Sequence, residues 1–232
     1  MPAIVTNRHV VEGAYEYRVI FSRSDENGNL LNINEQLTMR GSESDWIAHP
    51  DESVDLCVLP IGPALNGFIR AGKHLLTIPL SLELLPTDKQ IQDMGCMDEV
   101  TMVGYPNGIW DEANNLPIVR RGITATPYRY DYQGQKEFLV DMACYPGSSG
   151  SPVFLYNEGT YLENDAVVMG KRLYLLGILR AVPIRTLLGD ITVSTIAHVS
   201  VQDMLNLGIV IKSERLRDFD PIVRERLSVS GN

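Results

Sequence analysis

Short apolar stretches alternate with turn residues along almost the whole chain, and the periodicity is that of strands rather than helices. Runs rich in β-branched and aromatic residues, bounded by Gly, Pro, Asn and Asp, mark strands. In the first half they cover Ala3 to Thr6, Tyr15 to Ser22, Val54 to Leu59 and Glu99 to Val103. In the second they cover Ile118 to Thr126, Phe138 to Met142, Ser151 to Tyr156, Leu173 to Val182 and Ile191 to Ile196. The cluster Asp25-Glu-Asn-Gly28-Asn29 predicts a turn between two of them, because Gly and Asn tolerate positive φ. Helical spacing shows in Ser200 to Leu207, with Ser200 placed to cap its start and Gly208 its end. From Gly62 to Gln92 the pattern loosens around Pro63, Pro79 and Pro86, which marks a connection between two β units. The charge-rich tail from Lys212 to Asn232 reads as a short surface helix or as poorly ordered chain.

This pattern predicts an all-β protein with few helices, a sandwich or a pair of barrels. It divides into residues 1–90, residues 91–211 and the tail 212–232. Length and composition agree: 232 residues with 44% hydrophobic and 21% charged supply apolar material for one or two cores. The net charge of -9 argues against a nucleic-acid footprint, which needs clustered Lys and Arg. No run reaches the roughly 18 apolar residues of a membrane span. The odd trio Cys57, Cys96 and Cys144 is no disulfide framework and predicts reduced, buried thiols. With no leader pattern after Met1, the expected location is the cytoplasm. Scattered cysteines without Cys-x-x-Cys or His-x-x-x-His spacing predict no metal, and no cofactor is expected.

Three stretches carry candidate chemistry. The first is Pro146-Gly-Ser-Ser149-Gly-Ser-Pro-Val-Phe154, between two strand runs. A serine hydroxyl becomes a nucleophile when a base takes its proton and nearby N–H groups hold the developing oxyanion. Gly147 lets the backbone turn so that its N–H and that of Ser149 face one spot, and Gly150 leaves room for a substrate backbone. Alone, this stretch could be a flexible surface turn. The second is Thr6-Asn-Arg-His9-Val-Val11, in which an isolated His would more often be structural. The third is Asp55-Leu-Cys-Val-Leu59, where a carboxylate opens an apolar strand and needs a partner, for which an imidazole is suited. His49, His74 and His198 lack neighbouring motifs and are read as structural.

Together the segments run in the order His, Asp, Ser, with 46 residues from His9 to Asp55 and 94 from Asp55 to Ser149. In these motifs the chain resembles the trypsin-like, chymotrypsin-fold serine peptidases. Val103-Gly-Tyr-Pro-Asn-Gly108, Arg121-Gly-Ile-Thr-Ala125 and Leu176-Gly-Ile-Leu179 are similar to segments of bacterial HtrA-type members. The resemblance implies two six-stranded antiparallel β-barrels and a short C-terminal helix. It implies a serine endopeptidase acting on protein or peptide substrates, with His9, Asp55 and Ser149 as triad and Gly147 and Ser149 as oxyanion donors. It also places Ala143 at the base of the primary specificity pocket, favouring small or apolar residues over Arg or Lys, and Arg180, Ala181 and Val182 beside the substrate backbone. Ser148 stands where zymogen-activated members carry Asp, which implies no activation by a freed N-terminus. Members place two strands before the histidine motif, whereas Met1 precedes His9 by eight residues, so a first barrel lacking its front strands is expected. No PDZ-like segment is expected after the barrels. The competing expectation is a weak or inactive domain of the same fold that binds peptides or partners.

Overall fold

The computed structural model describes residues 1–41, 45–163, 166–181, 184–190 and 198–230. Its first half contains β1 (Ala3–Thr6), α1 (Arg8–Val11), β2 (Glu16–Ser24), β3 (Leu30–Arg40), β4 (Ile47–Ala48), β5 (Cys57–Pro60), α2 (Gly62–Arg70) and β6 (His74–Leu75). A short helix α3 (Asp88–Gln92) precedes β7 (Glu99–Gly104), β8 (Ile118–Thr124), β9 (Glu137–Asp141), β10 (Pro152–Glu163) and β11 (Ala166–Ala181). Next come β12 (Ile184–Asp190), β13 (His198–Met204), β14 (Leu207–Lys212) and the C-terminal helix α4 (Phe219–Ser230).

The second half closes. Six antiparallel strands run around a barrel in the order β10-β11-β14-β9-β8-β7. Inward and outward residues alternate as the pleat demands, and Val100, Met102 and Gly104 of β7 are buried between partly or fully exposed neighbours. Phe138, Val140, Met102, Leu155, Leu176, Leu179 and Val210 fill the interior. The first half stays open among the described residues: its strands form two three-stranded sheets, β1-β5-β4 and β3-β2-β6. Val11, Trp46, Cys57, Leu59 and Ile61 form the core between them. The expected turn at Asp25–Asn29 joins β2 to β3, with the Asp25 carboxylate accepting from the Asn27 and Asn29 N–H groups.

A separate apolar cluster seals the two halves. Ile47, Leu56 and Val58 from the first half meet Ile178 and Ile211 of the barrel and Phe219 of α4. The tail expected to be a surface helix or poorly ordered is therefore helical, and one face of it is packed at this seam. His49 secures it: its ring lies edge-on against Phe219 at 5.2 Å, and Nε2 lies 3.1 Å from the Asp218 carboxylate.

One expectation is overturned. Ser200 to Leu207 is not a helix, since β13 pairs with β12 and the chain then enters the barrel as β14 between β11 and β9. Eight residues of helical spacing are too few to outweigh the ladder bonds of such pairing. Gly208, expected as a helix stop, lies within β14, where a Cβ would come within 2.8 Å of Cys144 Sγ and 2.7 Å of Leu179 Cδ1. The loosened stretch from Gly62 to Gln92 contains helices α2 and α3, the latter closed by a Thr87–Gln90 capping box. The expected strand at Ile191 to Ile196 lies outside the described residues.

Candidate active site

The register between β1 and β5 assembles the first pair of side chains. Thr6 opposes Cys57, so the residues just after β1 lie over those just before β5. His9 Nδ1 is 2.6 Å from one oxygen of Asp55, and the backbone N–H of His9 donates to the other at 3.1 Å. One carboxylate thus fixes both the ring and the chain that carries it. Asp55 is itself pinned from behind, because the fully buried Asn7 donates from Nδ2 to its backbone carbonyl at 2.8 Å. Asn7 is a site residue that sequence reasoning missed, although it stands in the histidine motif. With Nδ1 engaged, Nε2 is the ring nitrogen left for another group, and the His9 side chain is 47% exposed.

The third segment is the loop joining β9 to β10. Its turn residues Gly147 and Gly150 have φ of 81° and 86°, conformations that residues with a Cβ rarely adopt. Gly150 also abuts the first half: a Cβ there would come within 2.6 Å of Thr6 Oγ1, and Thr6 lies three residues before His9. Ser149 is therefore carried to the end of β1 by a contact only glycine permits. Its hydroxyl donates to the Arg180 carbonyl at 3.1 Å, and no His9–Ser149 hydrogen bond occurs. Arg180 is free to accept because β11 is irregular there, with Leu179 and Ala181 opposing the consecutive residues Val210 and Ile209.

Backbone bonding in the loop is selective. The N–H groups of Ser148, Gly150 and Ser151 donate to Tyr145, Leu179 and Ser148 carbonyls, respectively. Those of Gly147 and Ser149 donate to nothing among the described residues. Two unengaged N–H groups, that of Ser149 itself and that of Gly147 two residues before it, can hold an oxyanion.

Residues 3–162 match the sequence model of the trypsin-like peptidase domain. The chain belongs to this family. No curated protein matches it. The matched span includes the His9, Asp55 and Ser149 segments, and the barrel architecture is that of the family's all-β fold.

Other expected residues of this trypsin-like domain fall as follows. Ala143 is exposed at the start of the β9–β10 loop, with its carbonyl accepting from Arg120 Nη1 at 2.6 Å. The Arg180 side chain is engaged with Glu137 at 2.8 Å, and Ala181 pairs with Ile209, while the Val182 position lies outside the described residues. Cys57 and Cys144 are buried, and burial pushes their thiols up to about 12 and about 11. Cys96, expected to be buried, is exposed. Among the described residues no three His, Cys, Asp or Glu side chains gather to hold a metal ion, and no helix is long and apolar enough to cross a membrane.

Proposed function

We propose that the chain is a serine endopeptidase that cleaves peptide bonds through an acyl-enzyme. The observation that carries this reading is the double engagement of Asp55 with His9, which leaves Nε2 for the proton of a nucleophile. Ser149 is that nucleophile. A turn about its Cα–Cβ bond releases Oγ from the Arg180 carbonyl toward the imidazole. Oγ then attacks the scissile carbonyl as Nε2 takes the hydroxyl proton, and the carbonyl π electrons move onto oxygen. The Gly147 and Ser149 N–H groups receive that oxyanion, a contribution of roughly 3–4 kcal/mol per donor. His9, now imidazolium and steadied by Asp55, returns the proton to the departing amine, and water repeats the sequence on the ester. Protein or peptide substrates align along Arg180 and Ala181, and Ala143 at the pocket base favours small or apolar side chains before the cleaved bond. The neighbouring Arg120 guanidinium opposes Lys or Arg there by like charge.

A second reading, a binding domain without turnover, is favoured by one observation: the Ser149 hydroxyl bonds to Arg180 rather than to His9. Hydrolysis of a mixed peptide library separates the two. The peptidase reading predicts cleavage that Ser149→Ala and His9→Ala each reduce by about 10³-fold or more. Cleavage that persists unchanged in both variants, or none at all in wild type, contradicts it.

A further inference from the structure

We infer that Arg120 is the positioning residue of the loop that carries the oxyanion donors, tying its entrance to its exit. This deepens the serine-peptidase reading and rests on it. Arg120 sits in β8, beside the loop rather than within it. Its Nη1 donates to the Ala143 carbonyl at 2.6 Å and its Nη2 to Ser148 Oγ at 2.9 Å. These two residues bracket the turn through Gly147, and Ser148 immediately precedes the nucleophile. Both side-chain hydrogen bonds to residues 143–148 among the described residues come from this one guanidinium. The planar fork suits the task, because two donors held at fixed separation set a distance between their acceptors that a point charge cannot.

The electrostatics favour a dedicated role. None of the ion pairs among the described residues includes Arg120, whereas its neighbour Arg121 pairs with Glu99 at 2.6 Å. Ser148 is fully buried, and Arg120 Nε is buried without a partner. A partly desolvated cation with only neutral oxygens for company is costly to keep. Its bonds all go to the loop, whose Gly147 and Ser149 N–H groups must hold their aim while having no internal partners of their own. The remaining ties are backbone bonds, such as Asn107 N–H to the Pro146 carbonyl at 2.8 Å, and these fix the middle of the turn.

The test compares wild type with Arg120→Ala, Arg120→Lys and Ser148→Ala by two readouts: the rate of Ser149 phosphonylation by a fluorophosphonate, and amide hydrogen exchange across residues 143–150. Arg120→Ala is expected to slow phosphonylation about 10–100-fold and to lower kcat on a peptide substrate with little change in KM. Exchange in the loop rises while barrel strands stay protected, and millimolar guanidinium restores part of the rate. Ser148→Ala, which removes one acceptor and leaves the charge, gives a smaller loss, and Arg120→Lys falls between. Should Arg120→Ala fail to fold, the other two variants decide. Phosphonylation at the wild-type rate in the folded variants overturns the proposal, whatever exchange shows. Wild type that does not react with the probe overturns the nucleophile reading instead. Exchange then decides the clamp alone: faster loop exchange supports it, and unchanged exchange overturns it.

Discussion

Asp55 does two jobs with one carboxylate, and they separate on mutation. Asp55→Asn keeps the size of the group but presents the imidazole with an amide, so turnover should fall by about 10³–10⁴-fold with the fold intact, as kcat and circular dichroism together would show. Asn7 acts one step further back. Replacing it with Ala leaves the Asp55 carbonyl without its buried donor, at a cost of about 1–3 kcal/mol in denaturant unfolding. The cysteines give a check that needs no substrate. Cys96 is exposed while Cys57 and Cys144 are buried with raised thiols, so at mildly alkaline pH a thiol reagent should modify Cys96 alone in the native protein and all three in denaturant. The buried thiols ionise less readily folded than unfolded, so stability is full below the ordinary thiol range and declines as pH rises through it toward about 11.

At the scale of elements, the sequence was most readable where a strand carries strict alternation and least where pairing partners decide. The runs at Ala3, Glu99, Ile118 and Phe138 became β1, β7, β8 and β9 within a residue or two at most starts and ends. The run at Val54 became β5 only from Cys57, because Val54 and Leu56 are held in a turn before the ladder begins. β3 was not legible, since its outward face carries Asn, Gln and Thr and its polar character hid an eleven-residue strand. The motifs were legible because each is local: a turn glycine, a histidine after a strand, an aspartate before one. Asn7 and Arg120 were not, because their importance lies in partners 48 and 23 to 28 residues away. Leu56 illustrates how the elements share a load. It is fully buried between β5 and the seam beside Asp55, and Leu56→Ala should cost about 2–5 kcal/mol, with loss of turnover tracking loss of folded protein in a melting experiment.

Across the whole molecule, a closed barrel carries Ser149 and its loop, and an open pair of sheets carries His9 and Asp55. Their relative placement depends on the seam of Ile47, Leu56, Val58, Ile178 and Ile211, which α4 covers with Phe219. A polar latch reinforces the cover: Asp51 pairs with Arg215, and His49 meets Asp218. Hydrogen bonds from Ser53 and then Arg215 hold the Asp51 carboxyl below the usual carboxylate range. A depressed carboxyl lends its stability above the unfolded value near 4 and loses it as pH falls through the lower folded one. Acidification should therefore loosen residues 213–230 before the barrel opens, and Asp51→Asn should loosen them already at neutral pH, both read by amide exchange. Because His9 and Asp55 lie on one body and Ser149 on the other, with a C-terminal helix at the seam, loss of the helix should weaken the proposed turnover without touching any reacting group.

We propose that His9, Asp55 and Ser149 act as one unit on a carbonyl substrate. Mass-spectrometric mapping of the residue modified by a fluorophosphonate tests it most directly. A single phosphonyl adduct on Ser149 is expected, absent in His9→Ala and in unfolded protein. An adduct on another residue, or an equal adduct on Ser149 without His9, would contradict it.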